Sequence, residues 1–276
     1  MTLPGRSTTA AWLLAFGLGG CAGAPTLTLP SPATKPIVLL GEVHDNATQH
    51  HLRLHAFRDL LAGGARPALL MEQFDRDRQA RLDTARQAPG ANAQRLIDAA
   101  GTPGWDWSFY RPFIDEALRH GLPIVAANVS RSEARRVMTG GLAASGFDAA
   151  VPEAITAAQA QAIVRSHCGM IDAATARRMS QAQVARDQFM ARLVEQHAGR
   201  GVLLLAGNGH VRTDIGVPHW LSPATRARTQ AVGVLEAGDG DPPAYDQVVV
   251  TPAQPREDPC RDMAAPAPAS ASTGRR

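Results

Sequence analysis

Six short apolar runs set the terms for this fold: IVLLG (37–41), ALLMEQ (68–73), PIVAAN (123–128), VLLLAG (202–207), QAVGVLEA (230–237) and QVVV (247–250). The first four are apolar throughout, as strands covered on both faces are, and all six have strand length. Between them lie segments of helical periodicity at about 47–63, 75–86, 91–100, 110–120, 130–138, 152–166 and 173–198. Strand alternating with helix predicts an α/β fold, a mostly parallel central sheet flanked by helices. The stretch 129–200 is too long for one crossover and reads as a helical insertion between the third and fourth main strands.

Two of these runs end alike. IVLLGEVH at 37–44 and LLLAGNGH at 203–210 each stop at a glycine and carry a histidine three residues later. Ligands of parallel α/β sheets collect beyond the carboxyl ends of the strands, so His44 and His210 are expected at the functional edge. Glu72 leaves its strand in LLMEQF at a comparable depth. Two imidazoles and a carboxylate together suit a divalent metal ion with open positions, or an acid–base set.

HDNATQHHLRLH adds further histidines. Counted on a helix from His44, His51 and His55 share its side while His50 points away, which makes His51 a candidate ligand-binding group. WDWSFYRPF (105–113) holds five of the chain's thirteen aromatics, including Tyr110, one of two tyrosines. Such a cluster serves as core or packing wedge, or as a wall for a planar ligand. Arg186 falls within the apolar stripe Ala182, Ala185, Phe189 and Leu193. A buried guanidinium needs a partner: Asp187 or another carboxylate, or else a ligand carboxylate or phosphate.

At the amino end, Arg6 precedes an apolar stretch from Thr9 to Leu18 and then LGGC. This is the pattern of a secretory signal (1–20) cleaved at a lipobox, with Cys21 acylated and holding the protein on a lipid bilayer. Ala22 after the cysteine favours the outer membrane, facing periplasm or surface. Residues 21–35 read as a flexible linker, 36–255 as the α/β domain, and the Ala/Pro/Ser-rich 256–276 as a largely disordered tail. The remaining cysteines, Cys168 and Cys260, form an even pair in an oxidising compartment and suggest one disulfide. A formal charge of +3 without a basic block argues against nucleic acid as a partner.

LGEVHDNATQHH, LLMEQF, WDWSFYRP, SHCGM, QVARDQFMARL and LLLAGNGHVRTDIGVPHWL occur in this order over about 37–250. Together they resemble the ChaN-type haem-binding lipoproteins of the Tiki/TraB/erythromycin-esterase superfamily. The resemblance implies haem binding and iron uptake at the outer membrane, by a homodimer that sandwiches haem and works with an outer-membrane haem receptor. It implies iron on Tyr110 or a histidine, since a tyrosinate binds ferric haem, with histidines such as His51 and with Arg186 or Arg212 meeting the propionates. Tiki-like relatives imply the alternative: a metal-dependent hydrolase built on His44, Glu72 and His210.

Overall fold

A computed structural model describes residues 25–238, 244–258 and 260–261. The signal segment, Cys21 and the tail beyond 261 lie outside the described residues. The six apolar runs form six strands: β1 (Ile37–Leu40), β2 (Ala68–Asp75), β3 (Ile124–Asn128), β4 (Val202–Leu205), β5 (Thr229–Glu236) and β6 (Gln247–Thr251). They make one sheet in the order β3-β2-β4-β1-β5-β6, and every pairing is parallel. Strands β1 to β4 are buried at every residue, which explains why their sequences do not alternate. On the edge strand β6, Val248 and Val250 are exposed.

The helices are α1 (Ala47–Ala62), α2 (Gln79–Gln87), α3 (Ala93–Ala100), α4 (Trp107–Arg119), α5 (Arg131–Gly140), α6 (Glu153–Ser166), α7 (Ala173–His197), α8 (Asn208–Val211) and α9 (Pro223–Ala227). Side-chain caps start the main ones: Asn46 for α1, Asp106 for α4, Asp172 for α7, and a Ser130–Glu133 capping box for α5. Phe57 and Leu61 of α1, Leu96 of α3 and Phe113 of α4 cover one face of the sheet, while Met190, Leu193 and Val194 of α7 cover the other. Each such side chain contributes about 1.5–3 kcal/mol by leaving water. Helices α5 to α7 are the inserted unit, with a small core of their own around Val137, Phe147, Ile155 and Val184. Among the described residues, no helix is long and apolar enough to cross a membrane.

Two terminal segments are more ordered than composition suggested. Within the expected linker, Leu27 enters the core, Leu29 packs beside it, and Lys35 Nζ donates to the carbonyls of Ala227 (2.8 Å) and Thr229 (3.1 Å). The alternating leucines of TLTLP supply the apolar area that a free linker lacks. Beyond residue 255, Arg256 is clamped to Asp45 and Glu236, and Cys260 forms a disulfide with Cys168, 92 residues earlier.

Candidate functional site

The strand order explains why the two similar strand exits meet. Strand β4 lies between β2 and β1, with Leu205 in register with both Met71 and Leu40. The segments that follow, carrying Glu72, Gly207 to His210, and Gly41 to His44, therefore leave the sheet side by side. Backbone contacts stitch them together: Asn208 N–H donates to the Glu42 carbonyl (3.0 Å), and Gly207 N–H donates to Glu72 Oε2 (2.8 Å). Gly207 also sits close under His44, because a Cβ placed there would lie 3.1 Å from His44 Nε2 and 3.8 Å from Glu72 Oε2.

Each imidazole is tied to a carboxylate through Nδ1. His44 Nδ1 donates to Glu42 Oε1 at 2.8 Å, and His210 Nδ1 donates to Asp187 Oδ1 at 2.6 Å. A carboxylate only accepts, so in each ring Nδ1 carries the proton. Beyond that the two differ. The His44 side chain is 50% exposed, and its Nε2 has no hydrogen-bond partner among the described residues. The His210 side chain is 12% exposed, and its Nε2 lies 3.4 Å from Glu72 Oε1. Burial opposes a charge on His210, but Glu72 and Asp187 outweigh it and push its pKa up to about 10. Burial likewise opposes ionisation of Glu72, yet His210, His44 and the Gly207 N–H hold its carboxyl well below the usual carboxylate range. Burial, with the Glu72 charge, leaves Asp187 raised.

Glu42 is the hub. Besides His44 it accepts the Tyr110 hydroxyl and the Arg53 guanidinium, and Glu42, Tyr110 and Arg53 are all buried. Burial brings Arg53 down to about 10, still a cation at neutral pH. The aromatic segment packs over this cluster. Trp105 meets the His44 ring edge-on at 4.8 Å, Phe109 stacks on His50 at 4.4 Å, and Phe113 lies under Arg53.

These contacts relocate several expected groups. Tyr110 is fully buried and donates to Glu42, and burial raises its phenol further above neutrality. It braces the site and offers no oxygen to an outside iron. His51 is exposed on the outer face of α1, whereas His50 is buried, with Nε2 on the His44 carbonyl (2.9 Å). The helix starts only at Ala47, so a helical count from His44 misassigns both rings. Burial lowers His50 to about 4 and keeps it neutral. Arg186 does not pair with Asp187; its Nε donates to Asn128 Oδ1 (3.1 Å), outside the hollow that His44 faces. The proposed metal set, His44, Glu72 and His210, does converge on Gly207, but both nitrogens of His210 face carboxylates. Among the described residues, no three His, Cys, Asp or Glu side chains are arranged to hold a metal ion.

Over these groups lies a hollow of about 590 Å³, a volume typical of small-molecule sites. His44, His210, Arg212 and Tyr245 face it, and Ile163 of α6, Ile215 and Leu235 supply apolar wall. Helices α6 and α7 thus bring the insertion over the sheet edge. Arg212 grips Asp214 through Nε (2.9 Å) and Nη2 (2.7 Å). Sequence reasoning missed Glu42, Arg53, Asp187 and Tyr245. Glu42 stood inside GEVH and Asp187 beside Arg186, but a charged residue's burial is not written in its neighbours.

The family described as "Haem-binding uptake, Tiki superfamily, ChaN" matches residues 30–221. Among solved structures, cofacial haem binding to ChaN of Campylobacter jejuni is similar at 22% identity, covering 78% of this chain and 87% of that one with a TM-score of 0.65, a likeness of fold. An erythromycin esterase mutant, EreC, in its open conformation is 16% identical, covering 75% of this chain and 71% of its own at a TM-score of 0.46. No curated protein sequence matches the chain.

Proposed function

Because the chain belongs to the ChaN haem-binding uptake family of the Tiki superfamily, we propose that it binds haem in the hollow that His44 faces, with the iron on Nε2 of His44. One observation carries the assignment: His44 is half-exposed, its Nδ1 is held by Glu42, and its Nε2 has no protein partner among the described residues. A carboxylate on Nδ1 fixes the tautomer and makes Nε2 a better ligand. The hollow fits such a cargo. Its apolar side suits the macrocycle, and Arg212 Nη1, without a hydrogen-bond partner among the described residues, is available to a propionate. His210 does not compete for the iron, because it is held as a cation between two carboxylates.

Haemin titration tests this. Wild type and Tyr110→Phe are expected to give a defined Soret band at stoichiometric haemin, and His44→Ala to lose it. A band kept in His44→Ala and lost in Tyr110→Phe would return the iron to the phenol and refute the assignment.

Acylation at Cys21 would keep this domain at the outer membrane, where a haem receptor could supply it and a second copy could close over bound haem. Intact-mass measurement of membrane-extracted protein tests the anchor, and sedimentation with and without haemin tests the pairing.

A hydrolytic second reading rests on the paired dyads. Glu42 orients His44 as a general base would be oriented, and the His210 cation stands ready for developing negative charge. Turnover of a chromogenic ester by the haem-free chain, lost in His44→Ala, would support it; no turnover by wild type would dismiss it.

A further inference from the structure

A second hollow, of about 420 Å³, opens on the same edge of the sheet but on the β2–β3 side. Asp75 and Asn128 stand opposite each other at the ends of those strands. Arg78 reaches the hollow from the turn after β2, Arg131 from the first turn of α5, Arg186 from α7, and Trp105 from the loop before α4. Half-buried Arg78 and Arg186 and the exposed Arg131 therefore line one hollow with a single buried carboxyl group.

The simplest structural account is that the arginines neutralise Asp75. The distances rule it out: among the described residues, none of the three lies within ion-pair distance of any carboxylate. Burial and the neighbouring Asp77 leave the Asp75 carboxyl raised despite Arg78 and Arg186. Arg78 spends Nη1 on the Gly101 carbonyl (2.6 Å). Arg186 uses Nε on Asn128, which fixes the plane of the guanidinium and leaves both Nη groups without a partner among the described residues. The Arg131 side chain makes no hydrogen bond among the described residues. Gathering like charges in one recess costs free energy unless an anion joins them.

We infer that this hollow is a subsite for an oxyanion, a phosphate or a carboxylate group, gripped by Arg186 and Arg131 with Arg78 behind. Planar guanidiniums with free Nη pairs match such groups in two-pronged fashion. The subsite adjoins the larger hollow: Trp105 touches His44, and Arg186 is next in the chain to Asp187, which holds His210. Trp105, which lines this hollow, thus packs on His44, which lines the other. The oxyanion has two sources, a haem propionate or a free phosphate compound, and the subsite stands whether or not haem is the ligand.

Calorimetry with inorganic pyrophosphate and Soret titration with haemin and its dimethyl ester, on the full chain, separate the cases. Arg131→Gln and Arg186→Gln are the variants, with Arg226→Gln as a distant control and circular dichroism to confirm folding. Each lost charge-assisted contact is expected to weaken binding roughly tenfold or more. Pyrophosphate binding lost in both variants, with haemin affinity unchanged, identifies a free phosphate compound. Haemin affinity reduced in both variants to that of the dimethyl ester identifies a propionate. Wild type and both variants behaving alike towards pyrophosphate and towards haemin overturns the subsite.

Discussion

The matched glycines of the two strand exits should respond very differently to the same methyl group. At Gly41 a Cβ would lie 2.2 Å from Asn208 Oδ1, 2.9 Å from Val211 Cγ2 and 3.0 Å from the Val232 carbonyl oxygen. None of these can move freely. Asn208 bonds β5 twice, through Nδ2 to the Val234 carbonyl (2.6 Å) and through Oδ1 from the Val234 N–H (3.0 Å). Displacing it forfeits about 1 kcal/mol per bond, and overpacking adds about 1–3 kcal/mol. Gly41→Ala should therefore cost roughly 3–5 kcal/mol on those two principles, a large share of a typical stability. At Gly207 the backbone (φ −60°, ψ 150°) suits any residue. The obstacle is the His44 ring, with Cε1 at 2.9 Å, and that half-exposed side chain can turn aside at the loss of its one bond to Glu42. A gain of about 0.4–1 kcal/mol from a stiffer unfolded chain offsets part of the cost. Gly207→Ala should stay within about 1 kcal/mol of wild type while moving the imidazole off its seat and weakening haemin binding. Urea unfolding at constant slope reads both values. Equal losses at the two glycines, or a larger one at Gly207, would refute this account of why each glycine is there.

Other tests reach the buried charges. Asp187→Asn removes one of the two anions that hold His210 at about 10; a charge-assisted bond of about 1.5–3 kcal/mol corresponds to a fall of roughly 1–2 pH units, readable from the imidazole proton resonances. Because His210 is raised from 6.5 in the fold, its stabilisation is complete below that pH and fades as pH climbs towards about 10; the variant should lose its alkaline stability earlier, and an unchanged alkaline limb would contradict the pairing. Glu42→Gln strands the Arg53 cation and should cost about 3–5 kcal/mol, with Glu42→Gln/Arg53→Met recovering most of it in the same urea assay. Cys260→Ser opens a closure of 92 residues and should cost about 4–5 kcal/mol on the chain-entropy estimate, seen as a lower melting temperature that matches the reduced wild type.

The strands were legible because burial on both faces leaves uninterrupted apolar runs, and each of the six became a strand of the sheet. Strand order was not legible: β4 enters between β1 and β2 through pairings over 130 residues apart, which no local pattern encodes. The imidazoles at 44 and 210 were visible as a repeat, but not the acids behind them. On α1 the buried face is Gln49, His50, Arg53, Ala56, Phe57 and Leu61, half of it polar. Hydrophobic periodicity cannot find such a face, so the outward-facing His51 drew attention while His50 and Arg53 did not. Tyr110 entered as an iron ligand through the family resemblance, and its burial and its bond to Glu42 were not legible in the sequence.

The bond from Cys168, at the corner between α6 and α7, to Cys260, beyond the edge strand β6, joins a wall of the larger hollow to the far margin of the sheet. Ile163 lies on that wall, five residues before the bonded cysteine. When the bond is intact, the wall cannot swing outward without dragging the segment that Arg256 pins to Asp45, next to His44. Surroundings that reduce the disulfide to two thiols would remove that covalent tie between the α6–α7 corner and the C-terminal segment.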